Sequence, residues 1–309
     1  MRSKSVKLSN RPAFARRIPS EDTSRACVST YLLDTSSDTR SGSLCILKID
    51  EADGLQLENE ISTSAGVFRF DFRNPSTIVA ALTDGSLVVQ KIEEPVSSET
   101  TPVSSDMLLD LGLSDSSLTI TTDNKGHAYI VDLNTSLIVS TWLAHSLPYV
   151  PGEGCEVWSC AISKDAQTVV TGGEDGSMKL WDARSRTQTG QSKIFEAGVV
   201  FVDFPASNED QILTGSYDEH VRIFDRRNLK TVLKEKKLSG GVWNIEQVGS
   251  EYCTSCMYGG YSILNSDTLD IVHENRDVGS NLLYGATKMS ANSVLFCTFN
   301  DYLAVLDEY

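Results

Sequence analysis

Short runs of apolar and β-branched residues alternate with tight polar turns along the chain. Thr168-Val169-Val170-Thr171, Gln211-Ile212-Leu213-Thr214 and Ser293-Val294-Leu295-Phe296-Cys297 are too short for helices of ordinary length, and their composition predicts strands. Each precedes a turn and a second run that ends near a Trp-Asp-like pair. The clearest copies are Glu174-Asp175-Gly176-Ser177-Met178-Lys179-Leu180-Trp181-Asp182 and Tyr217-Asp218-Glu219-His220-Val221-Arg222-Ile223-Phe224-Asp225.

Seven copies align on their last position, at Lys48, Lys91, Asp132, Asp182, Asp225, Asn265 and Asp307. Neighbouring copies are 43, 41, 50, 43, 40 and 42 residues apart. A period of about 40–45 residues with this ending predicts an all-β, seven-bladed WD-repeat β-propeller. One four-stranded blade cannot bury both faces, but blades stacked in a ring bury them against each other. The chain is therefore expected to form one propeller over 27–309, preceded by an N-terminal segment, 1–26.

Tyr302–Tyr309 reads as the third strand of the last blade, so the fourth must come from residues 1–26. The same segment must supply the first strand of blade 1, yet its pattern is poor for strands, and an incomplete first blade is expected. The 50-residue gap places an insertion at Ser146–Gly154, with two prolines and two glycines. Glu93–Asp106, rich in Ser, Thr, Glu and Pro, reads as an exposed connection between blades.

The formal charge of −15 argues against nucleic acid as a partner, because phosphate backbones require a basic surface. It suits a cationic group or a basic partner surface. The seven cysteines are odd in number and several lie in strand patterns, which predicts buried free thiols in a reducing compartment. Cys253 and Cys256 form a C-x-x-C pair without a second pair at zinc spacing; on a strand they point to opposite faces, so no metal is expected. No apolar run reaches the roughly 18 residues of a membrane span. The basic residues Arg2, Lys4, Lys7, Arg11, Arg16 and Arg17 have no apolar core behind them, unlike a secretory signal. A cytoplasmic monomer that contacts no membrane is expected.

Acid–base chemistry would draw on His127, His145, His220 or His273. His145 occupies the usual WD-repeat histidine position, with Thr171, Asp175 and Trp181 placed to complete a buried structural network. His220 has no Gly-His stretch before its own blade; Glu196-Ala197-Gly198-Val199 stands there instead. Tyr217-Asp218-Glu219-His220 thus gathers a phenol, two acids and an imidazole on one turn, either as a solvated turn or as a site in which Asp218 orients His220. The sequence lacks a Gly-x-Ser-x-Gly elbow, a His-Glu-x-x-His site and a phosphate loop. No cofactor is expected.

Ala144-His145, Glu156-Val157-Trp158, Gly215-Ser216-Tyr217-Asp218-Glu219-His220, Gly240-Gly241-Val242-Trp243, Cys256–Leu264 and Leu283-Tyr284-Gly285-Ala286 together resemble the diphthine methyl ester hydrolase family of WD-repeat proteins. The resemblance is strong from about residue 140 onwards. The Ser146–Gly154 loop, which separates His145 from Glu156-Val157-Trp158, departs from the family pattern. The resemblance implies a carboxylic ester hydrolase that removes a methyl group from methylated diphthine on elongation factor 2. The family brings no catalytic triad to carry over; among this chain's own residues, His220 oriented by Asp218 would be the catalytic base, and Gly240 and Gly241 would offer N–H groups to the oxyanion. The substrate's trimethylammonium would meet Trp158, Tyr217, Trp243, Tyr258 and Tyr284, with Glu156, Asp218 and Glu219 supplying negative potential. The tryptophans equally suit blade packing, and a non-catalytic scaffold for protein partners is the alternative function.

Overall fold

The computed structural model describes residues 4–36, 39–50, 52–147, 149–150 and 152–309. Arg2, Pro148 and Pro151 lie outside them. The protein is a seven-bladed WD-repeat β-propeller of seven four-stranded antiparallel sheets. The described residues hold no α-helix and a single 3₁₀ turn, Gly279–Asn281. The innermost strands are Arg11–Arg17, Val67–Asn74, Leu108–Leu113, Ser159–Ile162, Val199–Asp203, Asn244–Val248 and Leu283–Ser290.

Packing explains why the repeat closes. Seven clusters of buried apolar side chains form, and each draws on two adjacent blades. Phe14 and Ile46 of blade 1 meet Val67 and Phe70 of blade 2, for example. Across the ring junction, Leu295 and Ala304 of blade 7 meet Val28 and Leu47 of blade 1. Each cluster is a sheet-on-sheet core built from alternate strand positions. Cys253, on the strand Glu251–Ser255, and Cys256, just past its end, belong to different inter-blade cores. All seven cysteines are buried free thiols.

Two readings of the sequence need correction. Blade 1 is complete, with strands Arg11–Arg17, Arg25–Asp34, Thr39–Asp50 and Gly54–Thr63. The strand Ser5–Lys7 completes blade 7 by pairing with Leu303–Glu308, with Ser5 opposite Val305. These strands were obscure because an innermost strand faces a polar channel. Arg11–Arg17 buries Ala13, Phe14 and Ala15, while Arg16 pairs with Asp71 on the innermost strand of the neighbouring blade 2. The Glu93–Asp106 stretch is also not only a connection: Ser97–Pro102 is the outer strand of blade 2. Outermost strands are exposed on one edge and most of their faces, so a polar composition is compatible with pairing there.

Candidate functional site at the upper channel mouth

In each blade the approach to the innermost strand and the turn between the second and third strands reach the same end of the channel. Phe68, Trp158, Trp243 and Tyr284 occupy the first kind of position, in blades 2, 4, 6 and 7. Glu174, Tyr217 and Phe299 occupy the second, in blades 4, 5 and 7. Their rings form a connected cluster. Trp243 lies 5.7 Å from Trp158, 6.1 Å from Tyr217, 4.8 Å from Tyr284 and 6.2 Å from Phe68 between ring centroids. Trp158 and Tyr217 are 6.3 Å apart, edge to face. Phe299 bridges Tyr284 at 5.3 Å to Tyr31 of blade 1 at 5.4 Å. Aromatic pairs at these separations attract beyond simple burial.

The cluster has an acidic edge. Trp158 Nε1 donates to Glu174 Oε2 at 2.6 Å, and the Glu174 amide donates to the Glu156 carbonyl at 2.9 Å. Burial, reinforced by Glu174 and Tyr284, pushes the Tyr217 phenol far up. Burial does the same to Tyr284, up to about 12, so both phenols are neutral near pH 7. Below the rings stands Arg69. Its guanidinium is 5.2 Å from the Trp243 ring and donates to the Trp243 carbonyl at 3.0 Å and to Asn244 Oδ1 at 3.3 Å. Burial lowers its pKa, while nearby Asp110 supports its charge. The inner side of the Trp243 indole therefore already carries a cation, which leaves the outer rings, Trp158, Tyr217 and Tyr284, as the half-buried surface facing the mouth.

Asp218 and His220 follow Tyr217 on the same turn, with different partners from those expected. Both Asp218 carboxylate oxygens accept from Arg222 Nη1, at 3.0 and 2.8 Å, and they also accept the amides of His220 and Glu196. Arg222 stacks in turn over Phe195, 5.3 Å from its centroid. His220 Nδ1 lies 2.8 Å from the main-chain carbonyl of Asp218 and 3.4 Å from its Oδ1. A carbonyl only accepts, so Nδ1 is the donor in this contact, and the lone pair of a neutral ring is then on Nε2.

The remaining expected residues divide. Glu219 is ion-paired with Lys237 at 3.2 Å, on the outer-strand side of the turn. The side of Gly240 where a Cβ would stand faces backbone: the Cβ would lie 2.6 Å from the Cys256 carbonyl and 2.8 Å from the Gly259 amide. At Gly241 it would lie 3.3 Å from the Tyr217 ring. The two glycines thus let this loop press against the Cys256–Gly259 turn and the back of Tyr217. Tyr258 is mostly exposed at the rim.

His145 has the structural role read from its position. Its Nδ1 is 2.9 Å from Asp175 Oδ1, its Nε2 is 2.8 Å from Thr171 Oγ1, and Trp181 Nε1 donates to the same hydroxyl at 2.9 Å. The 146–154 insertion leaves this network intact because it is pinched at its base. Ser146 bridges Gly154, and the Leu147 amide donates to the Glu153 carbonyl at 2.9 Å. Chain direction resumes at Cys155, and Glu156-Val157-Trp158 reaches the mouth. Among the described residues no group of three His, Cys, Asp or Glu side chains is placed to hold a metal, and no helix is long and apolar enough to cross a membrane.

Residues 143–182 match the family "WD domain, G-beta repeat". Proteins named diphthine methyltransferase match over longer stretches. The Mus musculus protein is 30% identical over 182 residues, covering 54% of this chain and 36% of its own length. The Homo sapiens protein is 30% identical over 155 residues, covering 47% and 32%. The Schizosaccharomyces pombe protein is 27% identical over 231 residues, covering 72% and 68%.

The chain resembles the diphthine methyltransferases.

It spans about a third of the length of the mouse and human relatives that it matches.

Proposed function

We propose that the protein is a carboxylic ester hydrolase of diphthamide biosynthesis, acting in the cytoplasm on methylated diphthine carried by elongation factor 2. The similarity to diphthine methyltransferases supports a place in that pathway. The observation that carries the reading is the aromatic and acidic shell of Trp158, Tyr217, Tyr284, Glu174 and Glu156 at one channel mouth. A trimethylammonium offers no N–H donors, and it is held by aromatic faces and carboxylates at about 0.5–2 kcal/mol per ring. Trp243 braces that shell from behind.

In the proposed reaction water adds to the ester carbonyl, the acyl–oxygen bond breaks, and methanol leaves. His220 Nε2 takes the proton from water and returns it to the departing methoxide. Asp218 orients His220 through its main-chain carbonyl, while its carboxylate anchors the turn on Arg222. The N–H of Gly241, the less buried of the two glycines, stabilises the oxyanion in this scheme. The negative charge of the chain suits docking on a basic face of the factor.

The scaffold reading has its own support. Asp218 is fully engaged by Arg222, and the turn would be ordered without any catalytic demand. One experiment decides. Elongation factor 2 bearing methylated diphthine is incubated with the full chain, without any methyl donor, and followed by mass spectrometry. Loss of one methyl with release of methanol supports hydrolysis. An unchanged substrate with a folded propeller supports the scaffold, and a methyl gain that requires a donor overturns the hydrolase.

A further inference from the structure

Across the upper mouth from Glu156 and Glu174, blade 1 presents the opposite charge. Its second and third strands, Arg25–Asp34 and Thr39–Asp50, run 10 and 12 residues, longer than their counterparts in every other blade. Pairing with the innermost strand starts only at Arg11, opposite Tyr31, and pairing with the fourth strand stops at Gly42, opposite Thr63. The hairpin beyond Tyr31 and Gly42 therefore stands free of its own sheet on both sides, on the order of 10 Å high. Arg11 pairs with Tyr31, and Leu33 with Arg40, so strand alternation puts all four side chains on one face.

That face, with Met107 of blade 3 and Phe299 of blade 7, borders a cavity of about 370 Å³. Phe299 also touches Tyr284, so the cavity adjoins the aromatic cluster. No acidic side chain lines it, although the chain carries 42 acids against 27 lysines and arginines. Among the described residues neither Arg11 nor Arg40 forms an ion pair. Arg11 is instead held by rings. Its guanidinium lies 5.0 Å from the Phe299 centroid and 5.6 Å from that of Tyr302, and its Nε donates to the Tyr302 hydroxyl at 3.2 Å. Its two Nη groups are left without partners and remain accessible. Burial raises the Tyr31 phenol pKa, and Arg11 and Arg40 both oppose that rise, so the two charges converge on one ring.

We propose that this cavity binds a carboxylate carried on an apolar body. The Nη pair of Arg11 offers the planar two-donor edge that a carboxylate accepts, and the ring stacking fixes its orientation in advance. Arg40, exposed on the hairpin, adds a second positive charge. Tyr31, Leu33, Met107 and Phe299 receive the apolar body. The assignment rests on blade 1 and is independent of the reaction proposed above.

The test is a calorimetric titration of the full chain with hydrocinnamate, with hydrocinnamamide and inorganic phosphate as controls. The expected result is saturable binding of hydrocinnamate, none of its neutral amide, and weaker binding of phosphate, which has no apolar body. Arg11→Gln should weaken hydrocinnamate binding roughly tenfold or more, the loss of hydrogen bonds to a charged group. Arg40→Gln should weaken it roughly two- to fivefold, the scale of an exposed charge. Its place on a surface hairpin keeps the test decisive if Arg11→Gln does not fold. A capped dipeptide, N-acetyl-Phe-Glu amide, separates the sources: binding of both ligands admits an acidic side chain of a protein, and binding of hydrocinnamate alone assigns the site to a small organic acid. No saturable binding of hydrocinnamate, equal binding of the amide, phosphate bound as tightly, or full affinity in the folded variants would overturn the proposal.

Discussion

Arg222 stands in blade 5 where the WD-repeat network would use a histidine, with Nη1 3.0 and 2.8 Å from the two carboxylate oxygens of Asp218. In blade 4 the corresponding acid, Asp175, is held by His145 from the preceding loop. Both acids also meet a cation four residues on in the third strand, Lys179 at 3.3 Å from Asp175 and Arg222 at 2.8 Å from Asp218, but in blade 5 the arginine holds the acid without the histidine. Both members of the pair are nearly inaccessible. Breaking a buried pair strands the surviving charge, at about 3–5 kcal/mol. Asp218→Ala and Arg222→Ala should therefore both lower the denaturation midpoint steeply. His220→Ala should leave it nearly unchanged, since that imidazole is partly exposed and bonds one carbonyl. Denaturant titration of the three variants checks this, and only His220→Ala should then separate a turnover defect from a folding defect.

At the upper mouth, Trp158→Ala removes a ring and leaves Glu174 without its 2.6 Å donor. Loss of one cation–π contact of about 0.5–2 kcal/mol corresponds to a roughly 2–30-fold weaker affinity for a quaternary ammonium. Glu174→Gln keeps an acceptor for the indole and removes the charge, so it should weaken binding without disturbing the ring cluster. Calorimetry with glycine betaine methyl ester measures both. Undiminished affinity in Trp158→Ala would assign the tryptophan to packing alone.

The number of blades could be read from sequence because turn and strand recur at nearly constant spacing. The innermost strands were harder to read. Arg16, Arg69 and Asp110 face the channel and break the alternation of apolar and polar positions that marks a half-buried strand. For the site, Trp158, Tyr217, Trp243 and Tyr284 were found as local motifs, while Glu174, Phe68, Phe299 and Tyr31 were missed. Three of those four carry a signal that superposing the repeats exposes. Val67-Phe68 matches Val157-Trp158 and Val242-Trp243, and Glu174 and Phe299 fall at the turn position of Tyr217. Tyr31 lies on a second strand, outside both series. The Asp218–Arg222 pair has no motif of its own in the sequence, because the arginine occupies an ordinary position of the third strand, four residues after the acid.

The His145 network should make stability depend on pH. Burial lowers the His145 pKa, although Asp175 partly offsets it. The folded value lies below the unfolded one of about 6.5, so the unfolded chain binds the extra proton. The stabilisation is complete above about pH 6.5 and is lost as pH falls. His145→Gln carries no such titration. At pH 7.5 it should cost about 2–4 kcal/mol, since Asp175 and Thr171 lose their partner. At pH 5 the gap to the unsubstituted protein should be smaller. Urea midpoints at the two pH values give the comparison, and a gap that widens towards acid would contradict this origin.

Asp203 should act with the opposite sign. Burial raises its carboxyl to about 7, against an unfolded value of about 3.9. Above pH 7 the folded protein must keep that carboxylate ionised beside Asp71, at a cost the unfolded chain does not bear. Between pH 7 and 4 the folded state takes up the proton first, and the cost disappears. Asp203→Asn is neutral throughout and keeps an oxygen for the Phe204 amide, which donates to Asp203 Oδ1 at 2.8 Å. The variant should melt at a higher temperature than the unsubstituted protein at pH 8.5, with the difference shrinking towards pH 5. Thermal melts across that range test the sign directly. A variant less stable at pH 8.5 would mean that attraction to Arg16 outweighs the burial of this carboxylate.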